Sequence, residues 1–127
     1  MTKRPRAKVF FDGGCRPNPG AMECAVVLGG EMLVRTDLGH GSSHEAEWLA
    51  LVEGLRVARS HGLADVVLLG DALAVIAVVN GKAKPVASAA HHLATFRELA
   101  TDARVSVRYV RRAQNLAGVA LNRRHPR

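Results

Sequence analysis

Two apolar runs in this sequence end in an acid, Val9-Phe10-Phe11-Asp12 and Leu68-Leu69-Gly70-Asp71, and a third acid, Glu47, opens an amphipathic stretch beside Trp48. Carboxylates gathered in one cleft repel one another unless a cation joins them. Their oxygens suit a hard divalent ion, Mg2+ or Mn2+, which keeps several waters and also takes substrate phosphates. Each acid alone has a simpler reading. Asp12 before Gly13-Gly14 suits a turn, Glu47 suits the positive end of a helix dipole, and Asp71 suits a helix N-cap. Caps and turns do not explain why all three fall at the expected mouth of one sheet.

The surrounding pattern supplies that sheet. Ala7 to Phe11 and Ala25 to Leu28 are strand-like, and Met32 to Leu38 alternates after a Gly29-Gly30 turn, which predicts an antiparallel meander. Ser42-Ser43-His44-Glu45 has capping-box spacing, and Trp48, Leu51, Val52, Leu55 and Ala58 recur at helical intervals up to Gly62, a C′ glycine. Val66 to Leu69 reads as a strand buried on both faces. Helices over Leu73 to Val79 and Ala87 to Thr101, a strand over Val105 to Val110 and a helix over Leu116 to Arg124 complete the chain. The order βββ-α-β-α-α-β-α predicts an α/β fold, a mixed five-stranded sheet flanked by helices. In such sheets ligands gather outside the carboxyl ends of the strands, where Asp12 and Asp71 fall.

Composition narrows the function classes. The 127 residues suit one domain, and 48% apolar with 23% charged residues excludes disorder and fibrous repeats. Eighteen Lys and Arg against eleven Asp and Glu leave a net charge of +7, which points to polyanionic partners, nucleic acid first. No apolar run approaches the roughly 20 residues of a membrane span. The basic start, with Lys3, Arg4, Arg6 and Lys8, lacks a secretory cleavage pattern, and residues 1–6 are expected to be flexible. Cys15 and Cys24 are too few for a disulfide framework and wrongly spaced for C-x-x-C, so a reducing cytoplasm is expected. His44-Glu45 lacks the second His of a zinc helix, because position 48 is Trp. Aromatics at 4% are too few for a base-stacking platform, and Trp48 fits the core stripe. Arg108, Arg111, Arg112, Arg123, Arg124 and Arg127 are solubilising charges in isolation. Beside a carboxylate site they read as salt-sensitive phosphate contacts. A monomer is the default expectation.

Asp12-Gly13-Gly14-Cys15-Arg16-Pro17-Asn18-Pro19-Gly20 resembles the D-G-x-x-x-x-N-P-G opening of the type 1 ribonuclease H-like family. Ser42 to Trp48 resembles its T-N-N-x-A-E-Y helix start, and Gly70 to Ile76 its G-D-S-x-x-V-I segment. The resemblance spans nearly the whole chain. It implies endonucleolytic hydrolysis of the RNA strand of RNA–DNA hybrids with two divalent ions, one activating water and the other stabilising the leaving oxygen. By position, Asp12 would bridge both ions and Glu47 and Asp71 would hold the ion on the leaving-group side. Gly13, Gly14, Cys15, Asn18, Ser43, His44 and Asn115 would lie against the substrate, whose RNA strand is told from DNA by its 2′-hydroxyls.

The chain departs from that family at its end. The family's fourth metal-binding Asp belongs to a segment matched here by Asn115 to Leu121, with Gly118 in the acid's place. Asn122 and His125 are the nearby residues that would substitute for it. Ser43-His44 replaces a pair of asparagines, and Ala72-Leu73 replaces polar residues after the second Asp. Two classes of function therefore stand side by side: a metal-dependent hybrid ribonuclease weakened at one ion, and a catalytically silent nucleic-acid-binding module. A metal-dependent exonuclease on a related scaffold fits the opening motif less well.

Overall fold

A computed structural model describes residues 6–125. Its strands are β1 (Ala7–Cys15), β2 (Gly20–Leu28), β3 (Glu31–Arg35), β4 (His40–Gly41), β5 (Asp65–Gly70) and β6 (Arg104–Tyr109). The helices are α1 (Ser43–Ser60), α2 (Leu73–Val79), α3 (Ala90–Leu99) and α4 (Leu116–Arg123). The sheet runs β3-β2-β1-β5-β6, antiparallel from β3 to β1 and parallel from β1 to β6. This is the expected mixed sheet, to which the two-residue β4 adds a short pairing with β2. Among the described residues no helix is long and apolar enough to cross a membrane.

Strand β1 is central, and its alternation sorts the two faces. Val9 and Phe11 enter the main core with Trp48, Leu51 and Leu55 of α1, Val75 of α2 and Phe96 of α3. Phe10 instead packs on the opposite face, where Ala25 of β2 meets Ala117, Ala120 and Leu121 of α4. The helix α1 forms where the periodicity places it. Ser42 caps it by accepting the Glu45 N–H at 3.1 Å, and Gly62, at φ +75°, follows the C-cap. Burying side chains such as Leu51 and Leu55 completely contributes about 1.5–3 kcal/mol each.

Two expectations change. The strand β1 continues through Gly13 and Gly14, which pair with Cys24 and Glu23, so Asp12 lies in a ladder and not at a turn. A Cβ at Gly13 would come within 2.1 Å of the Ala46 carbonyl oxygen; the glycine is what allows α1 to press its first turns onto β1. Residues 1–5 lie outside the described residues. Arg6, expected to be flexible, is instead held by Asp65 at 2.6 Å, Ser106 at 2.9 Å and the Val66 carbonyl at 3.0 Å.

Candidate functional site

The carboxyl end of β1, the end of β5 and the first turns of α1 enclose one cleft of about 290 Å³, lined among others by Asp12, Glu47 and Asp71. The cleft also takes in Gly13, Gly14, Cys15, Ser43 and, from α4, Gly118. The close contact of Gly13 with Ala46 sets the neighbouring Glu47 beside β1. Asp71 does not cap α2: the cap position is Ala72, without a side-chain bond, and Asp71 turns into the cleft instead. Its Oδ1 accepts Asn115 Nδ2 at 2.9 Å and its Oδ2 accepts Arg112 Nε at 3.3 Å.

Two of the three acids are strongly perturbed. Burial pushes the Asp12 carboxyl up to about 7, reinforced by the charge of Asp71, a hydrogen bond to it and the charge of Glu47, with Arg112 opposing. Burial also pushes Glu47 up to about 7, with Asp71 adding to the shift and Arg112 opposing it. Burial first and neighbouring carboxylates second thus disfavour the ionised forms of Asp12 and Glu47, which a bound cation would favour. In this conformation no three His, Cys, Asp or Glu side chains among the described residues stand as a closed ligand set for an ion. Both Asp71 oxygens are occupied by Asn115 and Arg112. The donor chemistry nevertheless fits a divalent cation: oxygens only, in a shared open cleft, with surplus charge that a cation would neutralise.

Gly118 faces this group. A methyl group at position 118 would lie 3.6 Å from Asp12 Cγ and Oδ2, in ordinary contact, so the space for a side chain exists and is not filled. A methyl at Gly14 would meet nothing within 4 Å, which leaves the cleft floor open.

Three residues expected against the substrate make side-chain contacts within the protein. Asn115 is fully buried, donating to the Phe11 carbonyl at 3.0 Å and to Asp71 while its Oδ1 caps α4 at Ala117 N–H. With both amide hydrogens engaged below the surface, Asn115 braces the site. His44 lies in an adjoining cavity with Ser42, Glu45, Trp48 and His92, where it accepts the Trp48 indole N–H at 3.3 Å. Asn18 pins the loop to α1 by accepting the Ser43 N–H at 3.0 Å. Trp48 is wholly buried, as its spacing predicts.

Sequence reasoning missed Glu23, which lines the cleft from β2, and the link of Arg112 to Asp71. A lone acid inside the apolar run Met22-Glu23-Cys24-Ala25 was the available signal. Asn122 also lines the cleft and accepts Arg16 Nη2 at 3.5 Å, whereas His125 binds Glu23.

Residues 11–125 match the family described as reverse transcriptase-like. Among solved structures, ribonuclease H1 of the halophilic archaeon Halobacterium salinarum is 30% identical, with a TM-score of 0.82 over 94% of this chain and 99% of that one. The N-terminal ribonuclease H domain of a Mycobacterium tuberculosis protein, solved as a fusion with maltose-binding protein, is 23% identical, with a TM-score of 0.82 over 94% and 96%. The LC11 ribonuclease H1, solved in complex with an RNA/DNA hybrid, shares the fold at 19% identity, with a TM-score of 0.80 over 87% and 89%. Comparison with curated proteins gives no significant match.

Proposed function

The chain belongs to the reverse transcriptase-like family, in the type 1 ribonuclease H lineage, and we propose that it is an endonuclease that hydrolyses the RNA strand of RNA–DNA hybrids at the cleft of Asp12, Glu47 and Asp71. The observation that carries this reading is the convergence of three acids from distant parts of the chain on one cleft, where burial first and neighbouring carboxylates second raise Asp12 and Glu47 to about 7. Mg2+ or Mn2+ held by Asp12, Glu47 and Asp71 would supply activation of the attacking water and stabilisation of the leaving oxygen.

The chain's own residues do the rest. Asn115 orients Asp71 and ties it to β1. Arg112, whose side chain is 86% exposed, pairs with Asp71 and would be free for a phosphate if an ion were held there instead. Gly14 keeps the floor open for a backbone to approach, and exposed Arg16, Arg108 and Arg111 add positive charge for a polyanion. The solved complex of the LC11 enzyme with an RNA/DNA hybrid supports that class of substrate. Free Cys15 and Cys24 fit a reducing cytoplasm, and one catalytic domain over residues 1–127 fits the family match.

A second reading, a catalytically silent module that binds nucleic acid, is favoured by one observation, the empty side-chain position of Gly118 facing Asp12. An end-labelled RNA–DNA hybrid incubated with the protein in Mg2+ and in Mn2+ separates the two. Cleavage that disappears in Asp12→Asn supports the enzyme. Salt-sensitive binding without cleavage supports the module.

A further inference from the structure

The cleft contains a fourth acid. Glu23 lines it with Asp12, Glu47 and Asp71 and is only 9% exposed. In the β1–β2 ladder Glu23 pairs with Gly14 and Ala25 with Asp12. Asp12 and Glu23 therefore leave the same face of the sheet from diagonal positions, a separation of about 7–8 Å that long side chains span. Gly14 puts no side chain between them. The helix α4 covers that face, and its residue opposite Asp12 is Gly118, which offers no oxygen.

Glu23 is turned toward the end of α4. Its Oε1 accepts His125 Nε2, and Arg124 Nε lies 3.7 Å from Oε2. Both partners are partly solvent-exposed, at 31% and 45% of their side chains. Each partner therefore has water to turn to, although the Glu23 side chain itself is only 12% exposed. The affinity of a carboxylate site for a hard cation rises with the number of charged oxygens it presents.

Resting on the reading of the cleft as a divalent-ion site, we propose that Glu23 supplies the acid that position 118 lacks, serving as a ligand on the Asp12 side of the cleft and being held by His125 when no ion is bound. The fourth carboxylate is thus provided by the sheet and not by α4.

The test is Mn2+ binding to the intact protein by titration calorimetry, with no substrate present. Glu23→Gln, similar in shape but uncharged, is expected to weaken binding by at least about tenfold. Adding Gly118→Asp to that variant is expected to recover most of the loss. Parent-like affinity in Glu23→Gln overturns the proposal. Asp12→Asn tests the premise separately: if it leaves Mn2+ binding unchanged, the cleft is not the ion site at all. If it abolishes binding while Glu23→Gln does not weaken it, only the role of Glu23 fails. Should Glu23→Gln not fold, His125→Gln carries the test. Freeing Glu23 is expected to tighten Mn2+ binding severalfold, and unchanged or weaker binding overturns the proposal.

Discussion

Asn115 holds Asp71 in place: its Nδ2 lies 2.9 Å from Asp71 Oδ1 and 3.0 Å from the Phe11 carbonyl, while its Oδ1 accepts Ala117 N–H at 3.2 Å. One fully buried amide thus joins β1, the acid after β5 and the start of α4. Asn115→Ala removes a helix cap and leaves the Phe11 carbonyl unpaired. Together these are expected to cost about 2–3 kcal/mol, read as a lower urea midpoint at unchanged slope. Asn115→Asp keeps the cap acceptor but sets a charge against Asp71, so at pH 8 it is expected to cost at least as much and to recover on acidification.

Adjacent glycines in β1 have opposite roles. A methyl at Gly13 would lie 2.1 Å from the Ala46 carbonyl oxygen and 2.9 Å from the Glu47 nitrogen, both backbone atoms that move only if α1 moves. Gly13→Ala is expected to destabilise the fold by about 1–3 kcal/mol and to displace Glu47 from the cleft. Gly14→Ala meets nothing within 4 Å and is expected to leave thermal stability unchanged or slightly raised. Equal losses of Tm in the two variants would refute the assigned packing.

These glycines also mark what the sequence conveys and what it withholds. Asp12 and Asp71 are legible because apolar runs that end in an acid place that acid at a sheet's mouth, and α1 is legible from its period and its Ser42 cap. Gly13-Gly14 reads as a turn because glycine disfavours strands. Only the approach of Ala46, a contact across 33 positions, shows why the strand continues. Glu23 enters the cleft through the β1–β2 register, which local pattern does not specify. Asn115 is expected against the substrate, and its burial beneath the site depends on how α4 docks.

Stability and pH are linked at the cleft. Asp12 and Glu47 are raised from ordinary values of 3.8 and 4.5 to about 7, so the folded protein holds protons that the unfolded chain releases. In the metal-free protein the stability contributed by these groups is fully present below the unfolded values and is lost as pH rises to about 7, above which it is level. A divalent ion binds the ionised form, so added Mg2+ is expected to raise Tm more at pH 8 than at pH 5. Thermal melts at the two pH values, with and without Mg2+, check this. An equal Mg2+ effect at both would contradict it, and Asp12→Asn is expected to flatten the metal-free profile.

The empty position opposite Asp12 gives opposite expectations for two substitutions at one site. Gly118 lies in the first turn of α4, and a methyl there makes only ordinary contacts, at 3.6 Å to Asp12 and 3.7 Å to Asn115 Cβ. Gly118→Ala is therefore expected to stabilise the protein by about 0.5–1 kcal/mol through helix propensity alone, with no change in its response to Mg2+. Gly118→Asp adds a carboxylate to a group in which Asp12 already resists ionisation. Without metal at pH 8 its Tm is expected to fall below that of Gly118→Ala, since repulsion from Asp12 opposes the favourable placement of an acid near a helix N-terminus. With Mg2+ the order is expected to reverse, because the added oxygen becomes a ligand. Melts of the two variants across a Mg2+ titration read this crossing. Parallel curves would mean that position 118 does not face the ion.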